Sequence, residues 1–258
     1  ELTPVIQSEP GCGKTSILKM LEEDLGDKYD YIYVDCPVKD MSDIAMTIPN
    51  HDSKTLDTYV GSLFKMDSPK LLQVIFTRLM LERTVGDNPL PRGSIVFATS
   101  NNASDGVGDS MLAHAGNRVC ILKMQKPDVD TWLKWATDNA INPLIRAWVY
   151  MFPRSLASYT EGDQADNPYI FQPSKSNLSF CSPRSLAKAS VIVDNKEVLG
   201  DNAVMCALAG TIGASASADM SAFLSVEKSL PRFRDIIEKP DSVTMPTETS
   251  ALLMLMFQ

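Results

Sequence analysis

One octapeptide carries chemistry by residue type and spacing: Ser8-Glu9-Pro10-Gly11-Cys12-Gly13-Lys14-Thr15. Gly11 and Gly13 let the backbone bend so that successive N–H groups point inward, an arrangement that suits phosphate oxygens. Lys14 adds an ammonium group long enough to reach a β- or γ-phosphate, and Thr15 offers a hydroxyl to Mg2+. A helix opening just beyond Lys14 adds the partial positive charge of its N-terminus. The first position of the pattern G-x-x-x-x-G-K-[ST] holds Ser8 instead of Gly, which is tolerable if the backbone angles there are ordinary. The residues expected to hold a nucleotide are Glu9, Pro10, Gly11, Cys12, Gly13, Lys14, Thr15 and Ser16, with Thr15 as the metal ligand. The bland reading is a Gly-rich turn with an incidental lysine.

Such a loop needs a strand before it and a helix after it. Val5-Ile6-Gln7 supplies the strand. From about Lys14 to Asp24, Ile17, Leu18, Leu21 and Leu25 recur at helical spacing, and Gly26 ends the run. Tyr31 to Val34 reads as a second strand, buried on both faces because every residue is apolar or aromatic. Met41 to Met46 suits a short helix or hairpin arm, and Ile48-Pro49-Asn50 interrupts it. The spacing of Leu71, Leu72, Ile75, Leu79 and Met80 predicts a helix from about Lys70 to Arg83. Ser94 to Thr99 and Val119 to Leu122 complete the strands.

Beyond Lys126 the pattern turns helical: Asp128 to Ala140, Pro143 to Met151, Pro183 to Asp194, Asn202 to Ile212 and Thr249 to Phe257. A boundary near Gln125 therefore separates residues 1–125, a parallel α/β nucleotide-binding domain, from residues 126–258, a smaller helical lid. Residues 155–182 are polar and Pro-containing and read as a long surface loop. Ala214 to Ala218 reads as a flexible segment.

Bulk properties set limits. The chain has 258 residues, 44% hydrophobic and 22% charged, as expected of a soluble globular protein. No apolar run approaches the ~18 residues of a membrane span. A net charge of −8 argues against a surface built for nucleic acid, though a local basic pore fits within it. Cys12, Cys36, Cys120, Cys181 and Cys206 are odd in number and lack metal-ligand spacing, which implies a reducing, cytoplasmic setting. His51 and His114 are too few and too far apart for a His-based zinc site. No signal peptide is visible, and the first residue is Glu1.

With the loop in place, the chain resembles the MoxR-type branch of the AAA+ ATPases, the clade carrying a helix-2 insertion. The likeness runs from Pro4 to about Asp130, with one later anchor. Ala98-Thr99-Ser100-Asn101-Asn102 looks like the sensor-1 segment, which implies that Asn101 orients water or contacts the γ-phosphate. Asn117-Arg118-Val119 resembles the segment whose Arg acts in the neighbouring subunit, so Arg118 is the arginine-finger candidate. Ser182-Pro183-Arg184-Ser185-Leu186 resembles the sensor-2 element, with Arg184 reaching back to the phosphates. Leu81-Glu82-Arg83-Thr84-Val85 resembles a Glu-Arg-x-Val segment, where Arg83 could be a second interface residue. Residues 37–64 fill the place of the insertion. The bland alternatives are an Asx turn at Asn101 and solvated or ion-paired arginines at Arg118 and Arg184.

One piece of that pattern is absent. Hydrolysis needs an acidic pair at the end of an apolar strand, and the resemblance puts that strand just before the helix expected at Lys70. No such strand or Asp-Glu pair is present, and Asp67, before Ser68-Pro69, is a poor substitute. Losing the strand would leave neighbours ~9.6 Å apart, twice the ordinary ~4.8 Å, with buried backbone groups unpaired. Either residues are missing between about Met66 and Ser68, which the intact flanks favour, or the chain is a variant without hydrolysis.

The resemblance implies an ATP- and Mg2+-dependent hydrolase with chaperone-like action. It implies a homo-oligomer, a hexameric ring, that remodels a protein client, often one with a von Willebrand A-type domain. The rivals are a nucleic-acid motor or restriction-type GTPase, for which Lys39, Lys54 and Lys65 would have to line a pore, and a ring that binds ATP without hydrolysing it.

Overall fold

The computed structural model describes residues 2–34, 44–61, 64, 68–73, 77–105, 117–175, 177–227, 230–231 and 233–257. The chain divides into two compact units. The first holds Glu1–Ser8 and Gly13–Met124, and the second holds Glu9–Cys12 and Gln125–Gln258. The helical unit is the larger of the two, not the smaller.

In the first unit, β1 (Thr3–Ser8) leads through the glycine loop to α1 (Ser16–Leu25), which Gly26 ends with a left-handed φ of 61°. β2 (Asp30–Tyr33) follows, then an antiparallel hairpin of β3 (Ala45–Asn50) and β4 (Thr55–Val60). Next come β5 (Lys70–Gln73), α2 (Thr77–Leu81), a small hairpin of β6 (Thr84–Val85) and β7 (Asn88–Pro89), and then β8 (Ile95–Asn101) and β9 (Val119–Lys123). The main sheet has the order β2-β5-β8-β1-β9, with every pair parallel. Val5, Ile32, Leu72, Val96 and Ala98 form its core with Leu79 and Met80. This is the parallel α/β class expected.

β5 corrects the sequence reading most. Residues 70–73 are not the first turn of a helix. They form the strand between β2 and β8, with Leu72 opposite both Ile32 and Val96 and fully buried. The gap argued from the missing strand is filled, and pairing on both sides satisfies the backbone groups that a vacancy would orphan. Lys70 is buried at the start of this strand, where its ammonium pairs with the Asp30 carboxylate and donates to the Ser68 hydroxyl. That partnership holds the Asp30 carboxyl below its ordinary range, through hydrogen bonds from Lys70 and Ser68. The helical remainder is α2. Ile75, Met66 and Asp67 lie outside the described residues.

β2 is an edge strand, so Tyr31 is half-buried and Tyr33 is exposed, against the expectation of burial on both faces. Pro49 does not break the hairpin but sits within β3 opposite Leu56. Both strands of a two-stranded ribbon are edges, where a missing N–H is tolerated.

The second unit runs α3 (Val129–Asp138), α4 (Pro143–Met151), α5 (Pro183–Asp194), α6 (Lys196–Leu199), α7 (Asp201–Ile212), α8 (Ala214–Glu227), α9 (Phe233–Glu238) and α10 (Thr249–Phe257). Asp128, Asn142 and Ser182 cap α3, α4 and α5 through their side chains, and Pro143 and Pro183 open the last two. Trp132, Ile145, Trp148, Leu186, Leu208, Ile212 and Met220 fill the core. Two expectations fail here. Ala214 to Ala218 is the start of α8, with Ala216 and Ser217 buried and the Ser217 hydroxyl donating to Met205 O at 2.9 Å. Residues 155–182 are not simply surface, since Ser155, Asn167, Ile170 and Cys181 are fully buried and Ile170 bridges Cys181. Among the described residues no helix is long and apolar enough to cross a membrane.

Candidate functional site

The loop is built by its glycines. Gly11 and Gly13 take φ of +80° and +91°, the region where a Cβ is penalised. Ser8 ends β1 and is absent from the positive-φ residues, so the missing first glycine costs no strain. Thr15 stands at the N-cap of α1 without spending its side chain on a cap, and it is exposed. Ser16, also exposed, donates its N–H to Gly13 O at 3.0 Å.

Lys14 is buried in the first unit. Its ammonium donates to Ser8 O at 2.9 Å, to Ser8 Oγ at 3.1 Å and to Asn101 Oδ1 at 3.1 Å. Ser8 and Asn101 are register partners at the C-terminal ends of β1 and β8. The lysine thus closes over the end of the sheet beside the start of α1, the place where open parallel sheets bind ligands. Sequence reasoning did not find the acceptor role of Ser8. Just beyond Asn101, buried Asp105 accepts a hydrogen bond from Asn102 N–H at 3.0 Å, fixing the turn after β8.

The remaining expected residues fall elsewhere. Arg118 is exposed and precedes β9. Val119 pairs with Thr3, at the opposite end of β1 from Ser8. At ~3.3 Å per residue, the five steps from Thr3 to Ser8 put Arg118 roughly 16 Å from the Lys14 end. The fold does not bring Arg118 to the Lys14 end of the sheet. Arg83, at a φ of 56°, donates to Thr3 Oγ at 3.0 Å and so ties this far edge internally.

Residues 9–12 belong to the second unit, and there Arg184 meets them. Its backbone N–H donates to Gly11 O at 3.2 Å, at the start of α5. Ser182 and Ser185 form a reciprocal capping box on that turn, and the Arg184 side chain is exposed. A Cβ on Gly11 would lie 2.4 Å from Ser182 Oγ, so the close approach requires glycine. Glu9 and Cys12 are buried, and Pro10 is half-buried. The Glu9 carboxylate accepts the Ser158 hydroxyl.

Within the first unit the donor set fits phosphate: Gly13 at positive φ, an ammonium at the sheet end and a helix start. Thr15 fits Mg2+ as its one protein hydroxyl, the rest of the shell coming from phosphate and water. A carboxylate partner is not offered by β5, whose residues are Lys70-Leu71-Leu72-Gln73. Among the described residues, no cluster of His, Cys, Asp and Glu could hold a metal by itself.

No family model matches the chain, and no curated protein matches it. Solved structures do. A mutant of RuvB from Thermotoga maritima aligns over 92% of this chain and 69% of its own, at 11% identity and a TM-score of 0.39. A candidate ATPase from Cytophaga hutchinsonii aligns over 94% and 85%, at 15% identity and a TM-score of 0.36. The Holliday junction branch migration motor RuvB from T. maritima aligns over 92% and 68%, at 14% identity and a TM-score of 0.37.

Proposed function

We propose that this chain is an AAA+-type ATPase of the MoxR-like branch, binding ATP with Mg2+ at residues 8–16 and acting on a protein client as a homo-oligomeric ring. The observation that supports it most is the Lys14 ammonium held between Ser8 and Asn101, over a loop with positive φ at Gly11 and Gly13. On binding, the γ-phosphate replaces Ser8 and Asn101 as the lysine's partner, and loop amides take the other oxygens. Bound Mg2+ would neutralise charge on the outer phosphates, with Thr15 as its protein ligand. Asn101, released from Lys14, would hold water or the γ-phosphate. The distance of Arg118 from the Lys14 end of the sheet supports a role across a subunit boundary, hence an assembly, for which the resemblance suggests six subunits.

A second reading is ATP binding without hydrolysis. It is favoured by β5, the strand between β2 and β8, which carries no carboxylate where an attacking water would need one. Phosphate release from Mg-ATP, measured beside nucleotide binding on the same preparation, separates the two. Release that disappears in Asn101→Ala while binding persists supports the ATPase. Binding with no release supports the second reading, and no binding removes both.

A further inference from the structure

Hydrolysis needs a carboxylate beside the attacking water, and β5 does not carry one. Among the described residues of the first unit, acidic side chains stand on α1 and the turn after it, at the start of β2, on the β3-β4 hairpin and ahead of β8. Asp105 alone among them follows the C-terminal end of a strand of the main sheet. That end of β8 is where Lys14 sits. Lys14 donates to Asn101 Oδ1 at 3.1 Å, and Asn101 lies opposite Ser8 in register. Asn102, joined to Asn101 by one peptide bond, donates its N–H to Asp105 Oδ2 at 3.0 Å. Asp105 N–H in turn donates to Asn102 O at 3.0 Å, so the short 3-10 turn Ala103–Asp105 is closed from both sides. One peptide bond therefore links the residue that touches Lys14 to the residue that holds the carboxylate. Asp105 is 2% exposed. The turn itself asks only for a hydrogen-bond acceptor, which Asn or Ser would supply without the cost of burying a charge. A carboxylate kept there points to a use for the charge.

We propose that Asp105 is a catalytic residue of the nucleotide site: its carboxylate takes the proton of the water that attacks the γ-phosphate, in place of the acidic residue that β5 lacks. This rests on the nucleotide-binding reading and favours the ATPase over the ring that binds without hydrolysis. The water oxygen bonds to the γ-phosphorus as the bond from that phosphorus to the bridging oxygen breaks. ADP leaves with the electron pair, and the water proton passes to Asp105 and then to the released phosphate. Asn101 holds the water, Asp105 deprotonates it, and the turn between them fixes their separation.

The test compares wild type with Asp105→Asn in the full chain, by phosphate release from Mg-ATP, calorimetric affinity for Mg-ATP, and thermal unfolding. Asparagine keeps an oxygen to accept the Asn102 N–H but cannot take a proton from water. Release is expected to fall by ~100-fold or more, while affinity stays within about three-fold and the unfolding midpoint holds. Release within about three-fold of wild type overturns the proposal, because the turn alone then suffices. So does a fall in affinity as large as the fall in release, since Asp105 then acts on binding. If Asp105→Asn does not fold, Asp105→Ser decides by the same readings, because its hydroxyl oxygen can also accept the Asn102 N–H. A wild-type chain that binds Mg-ATP but releases no phosphate overturns this proposal and leaves the binding site standing. A wild-type chain that binds no nucleotide sinks the functional reading itself, and this proposal with it.

Discussion

Replacing Gly11 by alanine separates steric from conformational demands on the loop. At φ +80° an L side chain carries ~1–2 kcal/mol of strain. The new Cβ would lie 2.4 Å from Ser182 Oγ and 2.6 Å from Ser182 Cβ, so the loop and the start of α5 must part. Parting them disturbs the Ser182 cap, worth ~1 kcal/mol, and the Arg184 N–H to Gly11 O bond, worth ~1 kcal/mol. The total is about 3–4 kcal/mol, which corresponds to a loss of roughly 150- to 1000-fold if it falls wholly on binding. Gly13 is the control. Its φ is +91°, but a Cβ there meets nothing within 4 Å. Gly13→Ala should thus lose only the ~1–2 kcal/mol of strain, about ten-fold. Calorimetric titration with Mg-ATP, with unfolding followed in parallel, reads both variants. Adding Ser182→Gly to Gly11→Ala should bring it close to Gly13→Ala, because glycine keeps most of a cap's value. Gly11→Ala binding within three-fold of wild type, with an unchanged unfolding midpoint, would refute the reasoning.

Arg118→Ala should retain nucleotide binding and assembly but lose phosphate release, and intact release would remove the finger role. Cys206 is exposed, whereas Cys181 is buried and its thiol is pushed up to about 12 by burial. Mass mapping after brief thiol labelling at pH 8 should find Cys206 modified and Cys181 protected until unfolding, and rapid native labelling of Cys181 would contradict its burial. Burial, together with the hydrogen bond to Asp219, pushes the Tyr169 phenol up to about 12 from 10.0. A raised pKa gives stability that is full below pH 10 and lost as pH rises toward 12. The stability advantage of wild type over Tyr169→Phe should accordingly shrink across that window in thermal unfolding, and a gap that widens would reverse the sign.

The glycine loop was legible because its chemistry is local: residue types at fixed offsets between a strand and a helix. The same holds for α4 and α5, where Pro143 and Pro183 and their preceding caps mark the starts without ambiguity. Leu71 and Leu72 could not be read correctly from spacing, since an apolar run serves a helix or a buried strand alike. The need of β2 and β8 for a paired neighbour decides it, and that demand is non-local. Ala214 to Ala218 misled in the opposite direction, because small residues read as slack until their fit against α7 is seen. Glu9 and Ser158 leave no sequence signal, as 149 positions separate them. Asn101 and Arg118 were found by resemblance. The fold adds that the first touches Lys14 and the second stands at the far edge of the sheet.

The central claim is that a single buried ammonium, gathered with the glycine loop at the end of the sheet, grips a triphosphate. Titration calorimetry of Mg-ATP into the wild-type chain and into Lys14→Ala tests it most directly. One filled site per wild-type chain and no measurable heat of binding in the variant is the result expected. Equal affinity in the two proteins, or a wild-type chain that takes up no nucleotide, would contradict it.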